Sequence, residues 1–384
     1  MINSIKYLFL QKIYNFKKMA TEKQVVQNKF LQLLRMAMGL EAQQPDTISD
    51  REWMEIHEVA RMQTLLGVLF LAIKTLPENI RPPFKLLMQW TLEAERIRAA
   101  NKILNNACVK LTELFGQEGH QTAILKGQAN ALLYSDTMCR QPGDIDIWVD
   151  GGKDNVLAML NNMKLGYSLA YHHAHLNENL YDAPVEVHFR PSSGNYNPFT
   201  NNVLQKKLYQ ELNDLELTES GFYVPSGRFA MLMQLAHLRR HFLSEELGMR
   251  HVVDYYILLS KYGNIISESE IREIGLYQFA RALMWVLHEM FGINKEQMLV
   301  DPDEKRGRML LDKLFLCGNF GRSNSIIVAL EGVNPYKRRL LLEIDKWKKL
   351  PLWGNEIIWA DLVYWKSFFK MLPERIRRGT IHVN

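Results

Sequence analysis

Asp144-Ile145-Asp146 leads into the apolar run Ile147 to Val149. Alternate side chains of a strand share a face, so the two carboxylates project together while Ile145 and Ile147 point the other way. Carboxylates held side by side repel each other unless a cation lies between them. Oxygen-only ligands of this kind suit Mg²⁺, which is usually held by one or two carboxylates plus substrate phosphates. The pair therefore reads as a site for a metal-bound nucleoside triphosphate. Taken alone, it is equally a polar strand start after the Pro142-Gly143 turn.

The flanking segments add the groups such a site needs. Upstream, the apolar run Ala123 to Leu125 meets a Lys126-Gly127 turn and a helix-compatible segment, Gln128 to Tyr134. Glycine lets the backbone approach a triphosphate, and a helix starting at Gln128 points free N–H groups at the anion. Lys126 can neutralise phosphate charge, and Arg140 and Arg190 offer guanidinium forks for phosphate oxygens. The nucleotide-binding set expected here is thus Lys126, Gly127, Gln128 and Arg140. Downstream, Glu186, His188 and Arg190 share one face of the strand-like run Pro184 to Phe189 and its end. Two-metal transfer needs ligands for both ions, which makes Glu186 the expected third carboxylate beside Asp144 and Asp146. His188 and Arg190 are expected acceptor or phosphate contacts. Plainer readings stand beside these: a strand-end lysine at 126, a satisfied sheet histidine at 188 and a strand cap at 190. Neither Gly-x4-Gly-Lys-Ser/Thr nor Gly-x-Gly-x-x-Gly occurs, which excludes a Walker loop and a dinucleotide fingerprint.

A glycine turn after a strand, then a helix, then Asp-x-Asp on the next strand is similar to the nucleotidyltransferase superfamily typified by DNA polymerase beta. The Leu125-Lys126-Gly127 version of the turn, Arg140 before the pair and Glu186-Val187-His188 after it resemble one subgroup more closely. That subgroup is the uncharacterised bacterial nucleotidyltransferase family 5. His237-x3-His241, Gly248, Arg250 and Asp254 extend the likeness, which covers roughly Lys102 to Leu259. The resemblance implies a Mg²⁺-dependent, two-ion enzyme that moves a nucleoside monophosphate from a triphosphate, ATP foremost, to an acceptor hydroxyl and releases pyrophosphate. Asp144 and Asp146 would hold both ions, and Glu186 the ion at the nucleophile. The acceptor stays open between a sugar, another small molecule, a protein hydroxyl and an RNA end. Gln128 replaces a small residue of the superfamily turn, and Glu186 stands where Asp is commoner. These departures admit a second reading, a nucleotide-binding or regulatory protein without turnover. A third is a helical interaction module in which Asp144-Ile145-Asp146 is incidental.

Two histidine groups invite a metal reading. His172, His173 and His175 have no cysteine nearby and no evident carboxylate partner of a structural zinc site, and read as a surface or substrate-facing strand end. His237 and His241 lie one helical turn apart and could hold a metal jointly, but the Glu of a His-Glu-x-x-His motif is missing. They are expected on a polar helix face with Arg239, Arg240 and Arg250, either over the nucleotide cleft as acceptor or phosphate contacts or simply solvated.

At 384 residues and 47% hydrophobic, the chain can bury at least one large core. A net charge of +5 suits an anionic substrate and is too weak alone to argue nucleic-acid binding. Three separated cysteines, Cys108, Cys139 and Cys317, imply no disulfide framework, and a cytoplasmic setting is expected. No apolar run approaches the ~20 residues of a membrane span.

The fold class expected is α+β, a small mixed sheet flanked by helical regions. The divisions expected are a loose extension over 1–22, a helical region over 23–116, an α/β core over 117–200 and a helical domain over 201–384. Ser49 and Glu52 form a capping-box signature, and a long helix is predicted from Phe84 to Phe115. One strand is predicted over Tyr167–His173 and one helix over Ser269–Phe291. Trp347, Trp353, Trp359 and Trp365 recur every six residues, which does not keep one helix face. They are expected in packing, with a membrane-surface contact of this Trp/Lys-rich region as the alternative.

Overall fold

Every odd-numbered residue of Ile145–Val149 is aliphatic, and that alternation fixes which face of the sheet is buried. The computed structural model describes residues 23–244, 247–263, 265–316 and 350–377, with isolated positions between 334 and 347. The protein is α+β, and the chain divides into two compact units, with boundaries at Arg98/Ala99 and around Met138–Gln141.

The first unit contains α1 (residues 23–37), α2 (Asp50–Met62), α3 (Leu66–Thr75) and the start of α4 (Phe84–Gln117). The expected capping box forms: the Ser49 hydroxyl accepts from the Glu52 N–H, and the Glu52 carboxylate accepts from the Ser49 N–H. Trp53 and Trp90 meet edge to face, and their indole N–H groups donate to Ile80 and Leu66 carbonyls at 2.9 and 3.0 Å. Both polar handles of this aromatic core are thereby satisfied.

The second unit carries the sheet. Its strands are β1 (Thr122–Ile124), β2 (Ile145–Val149), β3 (Tyr167–Leu169), β4 (His173–Leu176) and β5 (Val185–His188), in the order β1-β2-β5-β4-β3. The β2–β5 pair is parallel and the other three pairs are antiparallel. The aliphatic face, with Ile124, Ile147, Val149, Val185 and Val187, is covered by Leu104, Leu111 and Phe115 of α4. Val156 and Leu160 of α6 (Gly152–Asn162) complete that core. The opposite face is left to the polar residues at the intervening positions.

Between β1 and β2 lies a four-residue helix, α5 (Gln128–Ala131), shorter than the segment expected up to Tyr134. After the sheet come α7 (Pro198–Glu211), a hairpin of β6 (Leu215–Leu217) and β7 (Tyr223–Pro225), and α8 (Gly227–Ser244). Then follow α9 (Met249–Tyr262), α10 (Glu268–Glu273), α11 (Tyr277–Phe291), α12 (Glu304–Leu316) and α13 (Leu350–Arg377). Two single elements of the sequence reading become pairs. The Ala170 N–H donates to the His173 carbonyl and closes a turn that splits the expected Tyr167–His173 strand into β3 and β4. Gly275, at φ 71°, ends α10 and separates it from α11. The hairpin β6–β7 had no distinctive signal in sequence.

Trp353 is buried with its ring 5.1 Å from Phe242, whereas Trp347 and Trp365 are exposed. Among the described residues, no helix is long and apolar enough to cross a membrane. The amino-terminal extension 1–22 and Cys317 lie outside the described residues.

Candidate active site

Register builds the site. Asp146 pairs with Glu186 across β2 and β5, Trp148 pairs with His188, and on β4 His175 faces Glu186 and His173 faces His188. Directly opposed residues share a face, so a carboxylate pair and three imidazoles line the polar side of the sheet. Ligand atoms of Asp146, Glu186 and His188 lie within 4.8 Å of one another. Asp144 sits one residue before β2, in the approach to the strand, and not on it as the sequence suggested.

The buried charges hold each other. Lys126 Nζ lies 2.9 Å from Asp146 Oδ2, and His188 Nε2 lies 3.0 Å from Asp146 Oδ1. His188 Nε2 is also 3.6 Å from Glu186 Oε2, and Glu186 Oε1 is 3.5 Å from His173 Nε2. Burial opposes ionisation of Asp146, but Lys126 and then His188 outweigh it and hold the carboxyl well below its usual range. Burial likewise opposes the charged forms of Lys126 and His188, and their carboxylate neighbours raise both. Burial opposes ionisation of Glu186 too, but His188, His173 and Lys126 together outweigh burial and the Asp146 charge and hold it below its ordinary value. Asp144 moves the other way: the Asp146 charge, followed by burial, raises it. The sheet face thus favours the ionised forms of Asp146 and Glu186 and disfavours that of Asp144.

The turn before α5 divides its work between residues. The Leu125 N–H donates to the Asp146 carbonyl at 2.9 Å, so β1 delivers Lys126 directly beside the aspartate. Gly127 has φ 64° and ψ −102°, a conformation that other residues adopt only under strain. The Gln128 side chain has partners that the sequence did not show. Its side chain is buried and its amide donates to Asn101 Oδ1 at 3.3 Å and Asn105 Oδ1 at 2.5 Å on α4. The amide nitrogen thereby ties the turn to α4, while Oε1 is buried without a hydrogen bond among the described residues. Helix α5 is itself tied to α8 by a reciprocal amide pair, Asn130 with Gln234, at 2.9 and 2.7 Å. The Tyr134 hydroxyl donates to Asp254 Oδ1 at 2.7 Å and links the same segment to α9.

The remaining expected residues separate. Arg140 falls in the segment grouped with the first unit, buried, with its guanidinium donating to the Gln141 carbonyl. Arg190 lies beyond β5, its guanidinium 4.6 Å above the Tyr171 ring and donating to the Tyr171 hydroxyl. Arg239 is buried against Glu356 of α13 at 3.1 Å, and Arg240 donates to the Ser193 carbonyl, so the helix α8 arginines do not form one face. His237 and His241 do come together, Nε2 to Nε2 at 2.9 Å, and His251 of α9 stacks on His241. Burial and then His241 and Lys126 hold His237 well below its ordinary pKa.

His172 and His173 were placed in sequence only as a strand end. Their rings lie 5.1 Å from that of His188, making them part of the same wall. The signal that could have found them is the period-two match of His173 and His175 to Glu186 and His188 across an antiparallel pair.

A family model described as an uncharacterised nucleotidyltransferase matches residues 49–292 of the chain. Comparison with curated proteins and with solved structures gives no match.

Proposed function

Because this chain belongs to the family of uncharacterised nucleotidyltransferases, we propose that it transfers a nucleoside monophosphate from a nucleoside triphosphate, ATP foremost, to an acceptor hydroxyl. The observation that carries this reading is the convergence of Asp146, Glu186 and His188 within 4.8 Å, beside Lys126 and a glycine turn. The donor set fits a divalent ion. The Asp146 charge and burial disfavour ionised Asp144, and an added cation would offset both. Asp144, Asp146 and Glu186 would hold Mg²⁺, which supplies positive charge for the triphosphate and for the leaving pyrophosphate.

In the reaction, the acceptor oxygen forms a bond to the α-phosphorus. The bond from that phosphorus to its bridging oxygen breaks, and pyrophosphate leaves with the electron pair. Glu186, anionic and 3.6 Å from His188, takes the hydroxyl proton. Lys126 exchanges Asp146 for a phosphate oxygen, and Gly127 lets the backbone approach that anion. Arg190, His237 and His241 remain proposed phosphate or acceptor contacts, and positioning supplies much of the acceleration.

Lys126→Ala tests the nucleotide assignment. Losing a charge-assisted contact to phosphate typically costs ~1.5–3 kcal/mol, or about one to two orders of magnitude in affinity. Calorimetry should record that loss for ATP with Mg²⁺ and almost none for adenosine. Equal weakening for both would make Lys126 a structural residue. A second reading, nucleotide binding without turnover, is favoured by the pairing of both Asp146 oxygens with Lys126 and His188. It predicts the same calorimetry but no pyrophosphate.

A further inference from the structure

Three imidazoles from two helices converge in a group that shares no member with the carboxylate set. His237 and His241 occupy one face of α8, a single turn apart, and His251 lies in the first turn of α9. One nitrogen from each ring lies within 4.8 Å of the others, and His241 and His251 are buried. We infer that His237, His241 and His251 form a second metal site, for a divalent cation of the Zn²⁺ class.

The donor set decides the class of ion. Imidazole nitrogen suits Zn²⁺ and its transition-metal neighbours, whereas Mg²⁺ takes oxygen. Zn–N bonds of ~2.0–2.1 Å in a tetrahedron separate the ligand atoms by about 3.3 Å. The Nε2 atoms of His237 and His241, 2.9 Å apart, need only a small ring rotation to reach that spacing. Their mutual contact requires one ring to donate and the other to accept, while two lone pairs at the same place can face a cation instead. Among the described residues, no cysteine or carboxylate joins this group. Three protein ligands leave one position open, the pattern of zinc sites that bind water or substrate. His237 is the partly exposed member, and it feels the charges of Lys126 and His172. The open position is therefore reached from the His237 side and takes water or an anionic oxygen.

The test uses the full chain stripped by a chelator and titrated with Zn²⁺ or Co²⁺ alone. Wild type should bind one tight Zn²⁺ that survives Asp144→Asn and Asp146→Asn, because those substitutions touch only the carboxylate site. His241→Gln or His251→Gln should weaken it by more than about 100-fold, since losing a ligand costs more than losing a supporting hydrogen bond. Co²⁺ in the wild type should give the intense visible bands of four-coordinate nitrogen ligation. Zinc binding that is unchanged in both histidine variants, or abolished by Asp146→Asn alone, would overturn the site. If neither histidine variant folds, the wild-type spectrum decides, and a weak six-coordinate spectrum rejects the proposal. None of these readouts depends on nucleotide turnover.

Discussion

The same substitution at the two aspartates should shift stability in opposite directions when no metal is present. Asp146 is 1% exposed and accepts from Lys126 and His188 at 2.9 and 3.0 Å. Asp146→Asn removes the anion that Lys126 and His188 share. Breaking a buried pair by removing one partner costs about 3–5 kcal/mol. Glu186 remains near His188, and the Lys126 side chain keeps 23% exposure, which reduces the expected loss to about 2–3 kcal/mol. Asp144 is in the reverse position, since the charge of Asp146 already disfavours its ionised form. Asp144→Asn relieves that repulsion and should stabilise the protein by about 0.5–1 kcal/mol, part of the gain being offset by lost attraction to Lys126. Urea unfolding in EDTA near neutral pH, followed by tryptophan fluorescence, measures both. Equal shifts of the same sign would refute the assignment of Asp146 as the buried, cation-held member. Mg²⁺ at ten times its dissociation constant should add ~1.4 kcal/mol to wild type and much less to either variant.

Two further outcomes follow from the same geometry. His188 is raised above its ordinary pKa by Asp146 and Glu186 despite burial. Its contribution is full below about pH 6.5 and is lost as pH rises through the raised value, so metal-free stability should fall on the alkaline side. Titrating the unfolding midpoint of His188→Gln should remove that fall, and an unchanged profile would reject the linkage. Gln128→Ala deletes the amide's hydrogen bonds to Asn101 and Asn105 and should cost about 1–2 kcal/mol in urea unfolding. Its ATP affinity by calorimetry should match wild type, whereas a large loss would return the side chain to the nucleotide.

Local patterns carried much of this architecture. The alternation in β2 and β5 predicted both the buried face and the row containing Asp146, Glu186 and His188, because strand periodicity depends on neighbours two residues away. The Ser49–Glu52 cap and the long helix α4 were legible for the same reason. Long-range contacts were not. Gln128 looked like part of a phosphate turn because its partners, Asn101 and Asn105, lie more than twenty residues earlier on another element. His251 joins His237 and His241 only once α8 and α9 pack, and Arg239 leaves its helix neighbours for Glu356, 117 residues away. Helix periodicity places residues on a face but does not say which element covers it.

Transfer is tested most directly by pyrophosphate release from each of the four nucleoside triphosphates with Mg²⁺, a heat-treated whole-cell extract supplying small-molecule, protein and RNA acceptors. Mg²⁺-dependent pyrophosphate should form in equal amount to the nucleoside monophosphate transferred. Asp144→Asn, Asp146→Asn and Glu186→Gln should each reduce it by about 10²-fold or more. Turnover that persists in Asp146→Asn, or no pyrophosphate from any of the four with folded wild type, would contradict the proposed transfer.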